Sequence, residues 1–262
     1  MEVIFIDSFI SWIGGKKLLR KTITENFPTE KIDRYVEVFG GAGWVLFYKD
    51  KQAKEEIYND INNELINLFK CVKYHTNALQ EELDNTLNAR ETFAEYREIY
   101  QATALTDIQR AARYFYLIKS SYGSKAKHFG AKSRDITNTE YLKQIKVRLR
   151  TTVIENRSFE VLILQYDKEN TLFYCDPPYF GTENFYDGGS KITDETKFTK
   201  ESHEKLRDIL AKITGKFILS YNDDEYIRDL YKGFNIKEVN RQNNLSKQAK
   251  TVPYRELIVK NY

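Results

Sequence analysis

The sequence predicts an α/β fold, in which a doubly wound, mostly parallel sheet is interrupted by an inserted helical subdomain. A strand pattern at residues 35–39 runs into the glycine-rich turn Gly40-Gly41-Ala42-Gly43, the first unit of such a fold. A second apolar run, at residues 171–175, ends in Asp176-Pro177-Pro178-Tyr179. Between them, residues 62–150 keep a helical pattern with few glycines and no proline, which is too long for a simple strand-to-strand crossover.

Length and composition indicate a folded protein. The chain has 262 residues, of which 41% are hydrophobic and 30% are charged, and these values exclude a disordered chain. No apolar run approaches the roughly 20 residues that span a bilayer, and the first residues carry no basic-then-apolar signal pattern. The two cysteines and three histidines lack metal-ligand or redox spacing. We therefore predict a cytoplasmic protein without a metal site.

A Gly-Gly pair near the beginning of the chain would let a ligand approach the backbone closely. It lies in Trp12-Ile13-Gly14-Gly15-Lys16-Lys17, ahead of a helical pattern that runs to about residue 27. A nucleoside-triphosphate loop is excluded, because Lys17 stands where that motif needs Ser or Thr and the upstream glycine is absent. A plain helix start with an incidental lysine is the open alternative.

The glycine turn is followed by the apolar stretch 44–48, which predicts a buried helix. The next strand, at residues 56–58, ends at Asn59-Asp60. Asp60 lies 20 residues after Gly40, close to the roughly 20-residue offset at which an acid meets ribose hydroxyls. Together these features predict a nucleoside-containing cofactor. The alternative is that Asp60 caps a helix that begins near Ile61.

The predicted insertion divides into an acidic and a basic part. Residues 50–107 carry 6 Lys and Arg against 12 Asp and Glu, whereas residues 110–150 carry 11 against 2. The basic part also holds several aromatic residues and a polar loop near residues 120–130. Basic residues interleaved with aromatic rings are typical of nucleic-acid contact. The alternative is the solvated face of an ordinary basic helix.

The sheet pattern resumes after residue 150. Further strands are predicted at residues 152–154, 216–221 and 256–260. Further helices are predicted at residues 160–165, 200–213 and 226–230. Residues 180–198 are rich in Gly, Thr, Asp and Asn. They predict a long loop beside the edge of the sheet that binds ligands.

The tetrapeptide Asp176-Pro177-Pro178-Tyr179 ends its apolar strand in an unusual way. Neither proline has an N–H to donate, so the backbone must leave a central sheet here. An acid, a carbonyl and a ring are then displayed at the carboxyl end of the strand, the edge where open α/β sheets bind ligands. Taken alone, the tetrapeptide is also compatible with a plain strand-to-turn exit.

Four motifs occur in a set order: Trp12-x-Gly-Gly-Lys16, Phe39-Gly40-Gly41-Ala42-Gly43, Asp60 and Asp176-Pro177-Pro178-Tyr179. In this the chain resembles the Dam-like DNA adenine N6-methyltransferases (D12 class, alpha group), and residues 254–262 also resemble the last strand of that family. The resemblance implies a Rossmann-like, S-adenosylmethionine-dependent methyltransferase sheet. Residues 1–61 and 151–262 would form the catalytic domain, and residues 62–150 the helical DNA target-recognition insertion.

The resemblance implies S-adenosylmethionine as methyl donor and suggests which residues bind it. Trp12 and Lys16 would border the donor site, and Asp60 would accept hydrogen bonds from both ribose hydroxyls. Asp176 would face both donor and target. The turn beneath the methionine part of the donor would be formed by Phe39, Gly40 and Gly43. The adenine of the donor would be flanked by Ser158 and Phe159.

The implied reaction is site-specific methylation of adenine N6 in duplex DNA. N6 is a poor nucleophile because its lone pair is delocalised into the ring, and the Asp176 carboxylate and the Pro177 carbonyl would each accept one N6–H. Attack is then a direct in-line displacement, which needs neither a metal nor a covalent intermediate on Cys175. The adenine must be flipped out of the duplex, and Tyr179 would stack on it.

The basic loop is the implied DNA contact. Candidate phosphate contacts are Lys119, Lys125, Lys127, Lys132 and Arg134. Base readout is expected from Tyr122, Ser124, Lys125, His128 or Arg134. Residues 119–124 depart from the better-known members, which carry an Asn-Arg pair and a Phe-Asn-Gly type turn near this point. Recognition of GATC is therefore not implied, whereas the catalytic assignment is unaffected.

Duplex DNA is the expected partner, a cognate restriction endonuclease is a further one, and the chain is expected to be a monomer or weak dimer. Two other functions stay open: a DNA-binding regulator that has lost catalysis on the same fold, and a methyltransferase acting on RNA or protein. The intact Asp176 and Asp60 argue against the regulator. The basic insertion suits DNA without excluding RNA.

Overall fold

A seven-stranded sheet with helices on both faces forms the framework of the protein. The computed structural model describes residues 6–12, 14–99, 104–124, 126–130, 140–182, 197–241 and 254–262. The strands are β1 (Arg34–Glu37), β2 (Glu55–Asn59), β3 (Val153–Glu155), β4 (Thr171–Cys175), β5 (Lys216–Asn222), β6 (Asn235–Arg241) and β7 (Tyr254–Lys260). The helices of the described residues are α1 (Arg20–Glu25), α2 (Asn63–Tyr74), α3 (Thr76–Asp84), α4 (Arg90–Ile99), α5 (Asp107–Ser120), α6 (Tyr141–Leu149), α7 (Phe159–Tyr166), α8 (Lys200–Leu210) and α9 (Glu225–Leu230).

The strand order is β3-β2-β1-β4-β5-β7-β6. The first five strands in this order run parallel, and β7 pairs antiparallel with both β5 and β6. β1 lies between β2 and β4, with Val36 opposite Ile57 on one side and Phe173 on the other. The predicted α/β class and the Rossmann-like, mostly parallel sheet are therefore confirmed.

Within residues 62–150, helices α2, α3, α5 and α6 cover one face of the sheet, whereas Phe93 of α4 belongs to a separate buried cluster. Leu65 and Phe69 of α2 and Phe115 of α5 belong to the same buried cluster as Tyr35 and Tyr58 of the sheet. The rings of Tyr58 and Phe69 are stacked, with centroids 4.1 Å apart. Helices α7, α8 and α9 cover the opposite face. The insertion therefore contributes directly to the core of the sheet. None of the described helices is long and apolar enough to cross a bilayer.

The helix predicted at residues 44–48 is wrong, because only the 3-10 turn Leu46–Tyr48 forms there. The side chain of Arg148 reaches this turn from α6 and donates to the carbonyls of Leu46 at 2.6 Å and Lys49 at 3.0 Å. These carbonyls would otherwise accept hydrogen bonds from the next helical turn. A long-range contact thus ends the helix, and local apolar periodicity gives no sign of it.

Candidate active site

Asp176 follows β4 at the middle of the sheet. Every residue of β4 is buried, whereas the side chain of Asp176 is 18% exposed. β1 and β4 are neighbours in the sheet. Beyond β1 the next strand is β2, and beyond β4 the next strand is β5, so the strand order reverses direction between β1 and β4. Such a switch point is where open α/β sheets bind ligands. The backbone leaves the sheet at Asp176, as predicted.

The Asp176 carboxylate is held from two sides. Nζ of Lys16 lies 2.7 Å from Oδ1 and 2.8 Å from Oδ2. The hydroxyl of Ser220, on the neighbouring strand β5, donates to Oδ1 at 2.8 Å. Lys16 is only 4% exposed and also donates to the carbonyl of Gly14 at 2.9 Å. In a buried pair of this kind, removing either partner leaves the other charge without compensation.

Carboxyl groups set the electrostatics of the site. Burial raises the pKa of Asp176, while the charge of Lys16 and the hydrogen bond from Ser220 oppose that rise. Glu37 and Glu256 are buried and interact electrostatically with Asp176. Burial raises the pKa of Glu37 to about 8. Glu37 is therefore largely protonated at neutral pH, and Lys16 is the cation that balances Asp176.

Tyr179 is held by both its hydroxyl and its ring. The hydroxyl donates to Oε2 of Glu256 on β7 at 2.6 Å, and Nζ of Lys16 lies 4.6 Å from the ring centroid. The residue is 4% exposed. The sequence predicted a displayed ring, and this is wrong because the buried Glu256 draws the hydroxyl into the core. Stacking of Tyr179 on a target base stays a prediction, as does the role of the buried Pro177.

The glycine turn packs tightly between β2 and Trp12. A Cβ at Gly40 would lie 2.2 Å from Cε2 of Tyr58, and one at Gly41 would lie 2.9 Å from Cδ1 of Trp12. Gly41 and Gly43 have φ values of 49° and 69°, a region that favours glycine. Close packing and backbone conformation therefore both require glycine here, and they bring Trp12 next to the carboxyl end of β1.

Asp60 follows β2 and lies beside the glycine turn. Its Oδ2 accepts from the N–H of Gly41 and its Oδ1 from the N–H of Asn62, both at 2.8 Å. Burial raises the pKa of Asp60, and these backbone hydrogen bonds oppose the rise. The cap of α2 is Asn62, whose side chain accepts from the N–H groups of Glu64 and Leu65. The alternative that Asp60 caps this helix is therefore wrong.

Three aromatic rings meet at the same edge of the sheet. Phe39 follows β1, and Phe159 follows Ser158 at the beginning of α7. Their ring centroids are 5.7 Å apart, and Phe198 lies 5.7 Å from Phe39 and 5.8 Å from Phe159. Sequence reasoning missed Phe198, because a residue at the end of a long polar stretch of sequence carries no periodic signal.

Ser220 and Glu256 are further residues that the sequence did not single out. Ser220 lies in β5, next to β4, and Glu256 lies in β7, one strand farther from β4; both reach the tetrapeptide that follows β4. The one sequence signal that could have identified Ser220 as a site residue is its position as a polar residue near the end of an apolar strand pattern. Glu256 reaches the site because β7 pairs with β5, with Glu256 opposite Asn222. That pairing depends on tertiary structure.

Neither cysteine is suited to act as a nucleophile. Cys71 and Cys175 are free and buried, and burial raises the pKa of both thiols. A buried thiol with a raised pKa supplies little of the reactive thiolate. Among the described residues, no group of three or more His, Cys, Asp and Glu side chains could hold a metal ion.

Of the residues predicted to contact DNA, those that the structure describes lie on α5 and in the loop that follows it. Nζ of Lys119, in the last turn of α5, lies 5.3 Å from the ring of Phe115 and 5.2 Å from that of Tyr141. Lys119 is therefore partly covered by aromatic rings. The predicted contacts outside the described residues are Lys125, Lys132 and Arg134.

The loop itself is closed by backbone hydrogen bonds. The N–H of Tyr122 donates to the carbonyl of His128 at 2.8 Å. Tyr122 is 75% exposed, and Lys127 and His128 are also exposed. Ser124 belongs to the 3-10 turn Tyr122–Ser124. The structure thus presents an aromatic ring, a cation and an imidazole together on one exposed loop.

Comparison with known proteins relates this site to a family. The sequence profile of the D12 class N6 adenine-specific DNA methyltransferases matches residues 12–245. The chain is 28% identical to the type II methyltransferase M.MjaIII of Methanocaldococcus jannaschii, with 98% of this chain and 99% of that protein covered. It is 26% identical to a DNA adenine methylase of Haemophilus influenzae, with 95% and 92% covered. Because the matched region includes the glycine turn, Asp60 and Asp176, the chain belongs to the D12 class N6 adenine-specific DNA methyltransferases.

Proposed function

We propose that this protein transfers a methyl group from S-adenosylmethionine to N6 of an adenine flipped out of duplex DNA, at a specific site. One observation carries the proposal: the Asp176 carboxylate lies at the switch point of the sheet, paired with Lys16 at 2.7 Å. The glycine turn after β1 and Asp60 after β2 end at the same edge. A donor and a target base could therefore meet in front of Asp176.

The side chains at this edge suit S-adenosylmethionine. The ring of Phe159, which packs against the ring of Phe39, offers an apolar surface to the adenine of the donor. The backbone N–H groups of Gly41 and Asn62 hold the Asp60 carboxylate beside the glycine turn. Held in this way, Asp60 is proposed to accept hydrogen bonds from both ribose hydroxyls. The remaining proposed donor-binding residues are Trp12, Lys16, Gly40, Gly43 and Ser158, with Asp176 facing the sulfur.

The proposed role of Asp176 is to accept one N6–H of the target adenine, while the carbonyl of Pro177 accepts the other. When bound, S-adenosylmethionine supplies a methyl group on a positively charged sulfur. With both N–H groups directed at oxygen atoms, the lone pair of N6 is left to make the attack. Asp176 must be ionised for this role, and Lys16 favours that form despite burial. The proton that N6 loses after methyl transfer can then pass to Asp176.

Tyr179 is proposed to stack on the flipped adenine. Its ring lies under the ammonium of Lys16, with Nζ 4.6 Å from the centroid. Lys16 must therefore shift when the base enters. Flipping costs a few kcal/mol in lost stacking and pairing, and contact with the Tyr179 ring offsets part of that cost.

The basic part of residues 62–150 is proposed to bind the duplex. Tyr122, Lys127 and His128 share one exposed loop, and Lys119 lies at the base of that loop. Phosphate contacts of this kind supply affinity without sequence information, so base specificity would come from Tyr122 or His128. The two free, buried cysteines fit the reduced cytoplasm in which such an enzyme would act.

Transfer of a labelled methyl group from S-adenosylmethionine to duplex DNA tests the proposal. The protein is expected to label adenine N6, and Asp176→Ala is expected to reduce the rate by about 10³-fold or more, because a preorganised charge at the reacting atom is lost. Circular dichroism and thermal unfolding check that the variant is folded. Asp208→Ala, at an exposed acid on α8, is the control and should keep full activity.

The alternatives give different outcomes in the same assay. Full activity of Asp176→Ala would contradict the proposed mechanism. Donor binding without transfer to any nucleic acid would support a regulator that has lost catalysis, and preferential labelling of RNA over duplex DNA would change the substrate.

A further inference from the structure

Ser220 is a buried hydroxyl at the active edge that has no role in the reaction described so far. It lies on β5, which pairs in parallel with β4 so that Leu219 stands opposite Cys175. The next residues along the two strands are Ser220 and Asp176. This register brings Oγ of Ser220 to 2.8 Å from Oδ1 of Asp176. Two neighbouring strands thus position the contact.

Hydrogen-bond chemistry sets the direction of this contact. An ionised carboxylate can only accept, so Ser220 must donate its single hydroxyl proton to Asp176. The hydroxyl of Tyr174 lies 3.2 Å from Oγ of Ser220 and donates to it in turn. The carbonyl of Cys175 is farther from Oγ, at 3.5 Å. Tyr174, Ser220 and Asp176 therefore form a chain in which each bond polarises the next.

We propose that Ser220 is a positioning residue for methyl transfer, whose hydroxyl holds the Asp176 carboxylate in the orientation that accepts an N6–H of adenine. The proposal rests on the proposed function, because it takes Asp176 as that acceptor. Oδ1 accepts from Ser220, and Oδ2, which Lys16 contacts at 2.8 Å, keeps an acceptor position for the adenine amino group.

Lys16 cannot supply this orientation by itself. Its ammonium lies within 2.8 Å of both carboxylate oxygens, and it is carried on a flexible four-carbon chain. Lys16 therefore does not distinguish one carboxylate oxygen from the other. The hydroxyl of Ser220 is directional, and it belongs to a strand whose residues Phe217 to Tyr221 are all buried. Ser220 is thus the fixed partner of Asp176.

Ser220 also influences the protonation of Asp176. The charged or titratable groups that face Asp176 are Lys16, Glu256 on β7, Glu37 on β1 and Tyr174 on β4. The hydrogen bond from Ser220 lowers the pKa of Asp176, so its loss raises that pKa while the other groups stay. Because Asp176 must be ionised to accept an N6–H, activity would then fall at a higher pH during acidification.

Single-turnover methyl transfer, measured against pH with saturating S-adenosylmethionine and duplex DNA, tests the proposal in Ser220→Ala and Ser220→Thr. Ser220→Ala is expected to be about 10-fold slower or more at neutral pH, because a hydrogen bond to a charged group is lost. The acid limb of the pH–rate profile of this variant should move to higher pH. Its affinity for S-adenosylmethionine should stay within about 3-fold of that of the unmodified protein. Ser220→Thr keeps the hydroxyl, so both the transfer rate and the position of the acid limb should be close to those of the unmodified protein.

Thr171→Val is the matched control. It removes another buried hydroxyl, which donates to the carbonyl of Tyr166 at the opposite end of β4, and it should leave rate and limb unchanged. Tyr174→Phe removes the donor behind Ser220 and should move the limb in the same direction by less. The proposal would be overturned if Ser220→Ala left both the transfer rate and the acid limb of the pH profile unchanged. It would also be overturned if Ser220→Ala slowed transfer without shifting the acid limb and Thr171→Val did the same. An active Asp176→Ala would instead overturn the proposed function.

Discussion

The carboxyl edge of the sheet and the loop after α5 hold their functional residues in opposite ways. At the edge, Asp176, Lys16 and Tyr179 are largely buried, and each contacts a charged or hydroxyl group from a different element. In the loop, Tyr122 and Lys127 project into solvent from a turn that is closed by backbone hydrogen bonds.

This difference follows from the two tasks. Methyl transfer needs reacting groups held within a few tenths of an ångström, and side chains packed on strands can achieve that. Recognition of DNA needs side chains that can reach phosphates and base edges, and exposed loops supply these. Substitutions at the edge are therefore expected to change rate or stability, whereas substitutions in the loop should change binding alone.

The largest effect on stability is expected where α6 contacts β2. Arg148 of α6 and Glu56 of β2 form an ion pair in which each side chain is 1% exposed, with Nη1 and Oε2 2.7 Å apart. Arg148→Met leaves Glu56 buried without its partner, so the free energy of unfolding should fall by about 3–5 kcal/mol. Denaturant unfolding would measure it.

Two controls sharpen this prediction. Lys143→Met removes one partner of the exposed pair with Glu140 and should change stability by less than about 1 kcal/mol. Combining Arg148→Met with Glu56→Met replaces the buried pair by apolar side chains and should recover much of the loss. Equal, small changes in the free energy of unfolding for Arg148→Met and Lys143→Met would show that the ion pair between α6 and β2 does not stabilise the fold.

An intermediate effect is expected beneath the active edge, at Glu37. In the folded state its pKa is about 8, against about 4.3 for an unperturbed Glu. Folded Glu37 therefore holds a proton that the unfolded chain releases, so its contribution to stability is complete below about pH 4 and is lost as the pH rises through 8. Relative to Glu37→Gln, the protein should lose about 2–3 kcal/mol between pH 5 and pH 7. A constant difference between the two unfolding curves over this range would contradict the prediction.

The smallest free-energy change is expected in the loop, at Tyr122. Tyr122→Ala should weaken duplex binding by about 1–3 kcal/mol, the range for loss of one stacked base, which corresponds to roughly 5- to 150-fold. Its unfolding free energy should stay within about 0.5 kcal/mol, because the ring is exposed. Fluorescence anisotropy with labelled duplex measures the affinity.

Tyr74→Ala is the matched control, because it removes another exposed tyrosine, at the end of α2, and should bind DNA normally. Equal affinities of the Tyr122→Ala and Tyr74→Ala variants would remove Tyr122 from the recognition surface.

Several parts of the fold could be predicted because their signals are local. The strand Thr171–Cys175 was predicted to the residue, since a short apolar run that is closely followed by two prolines has few alternatives. The glycine turn was recognised from its sequence, and its packing against Tyr58 and Trp12 explains the glycines. The helix at residues 44–48 was wrong because Arg148, about a hundred residues away, binds the carbonyls that end it.

The sequence by itself determined the α/β class, the family and the acids at the strand ends, because each depends on short motifs or local periodicity. Only the tertiary structure decided what surrounds Asp176. Lys16 approaches from before α1, Ser220 from the parallel strand β5, and Glu256 reaches Tyr179 from the antiparallel strand β7. These contacts depend on strand order and register, which join residues far apart in the chain through hydrogen bonding and burial, and no local pattern records them.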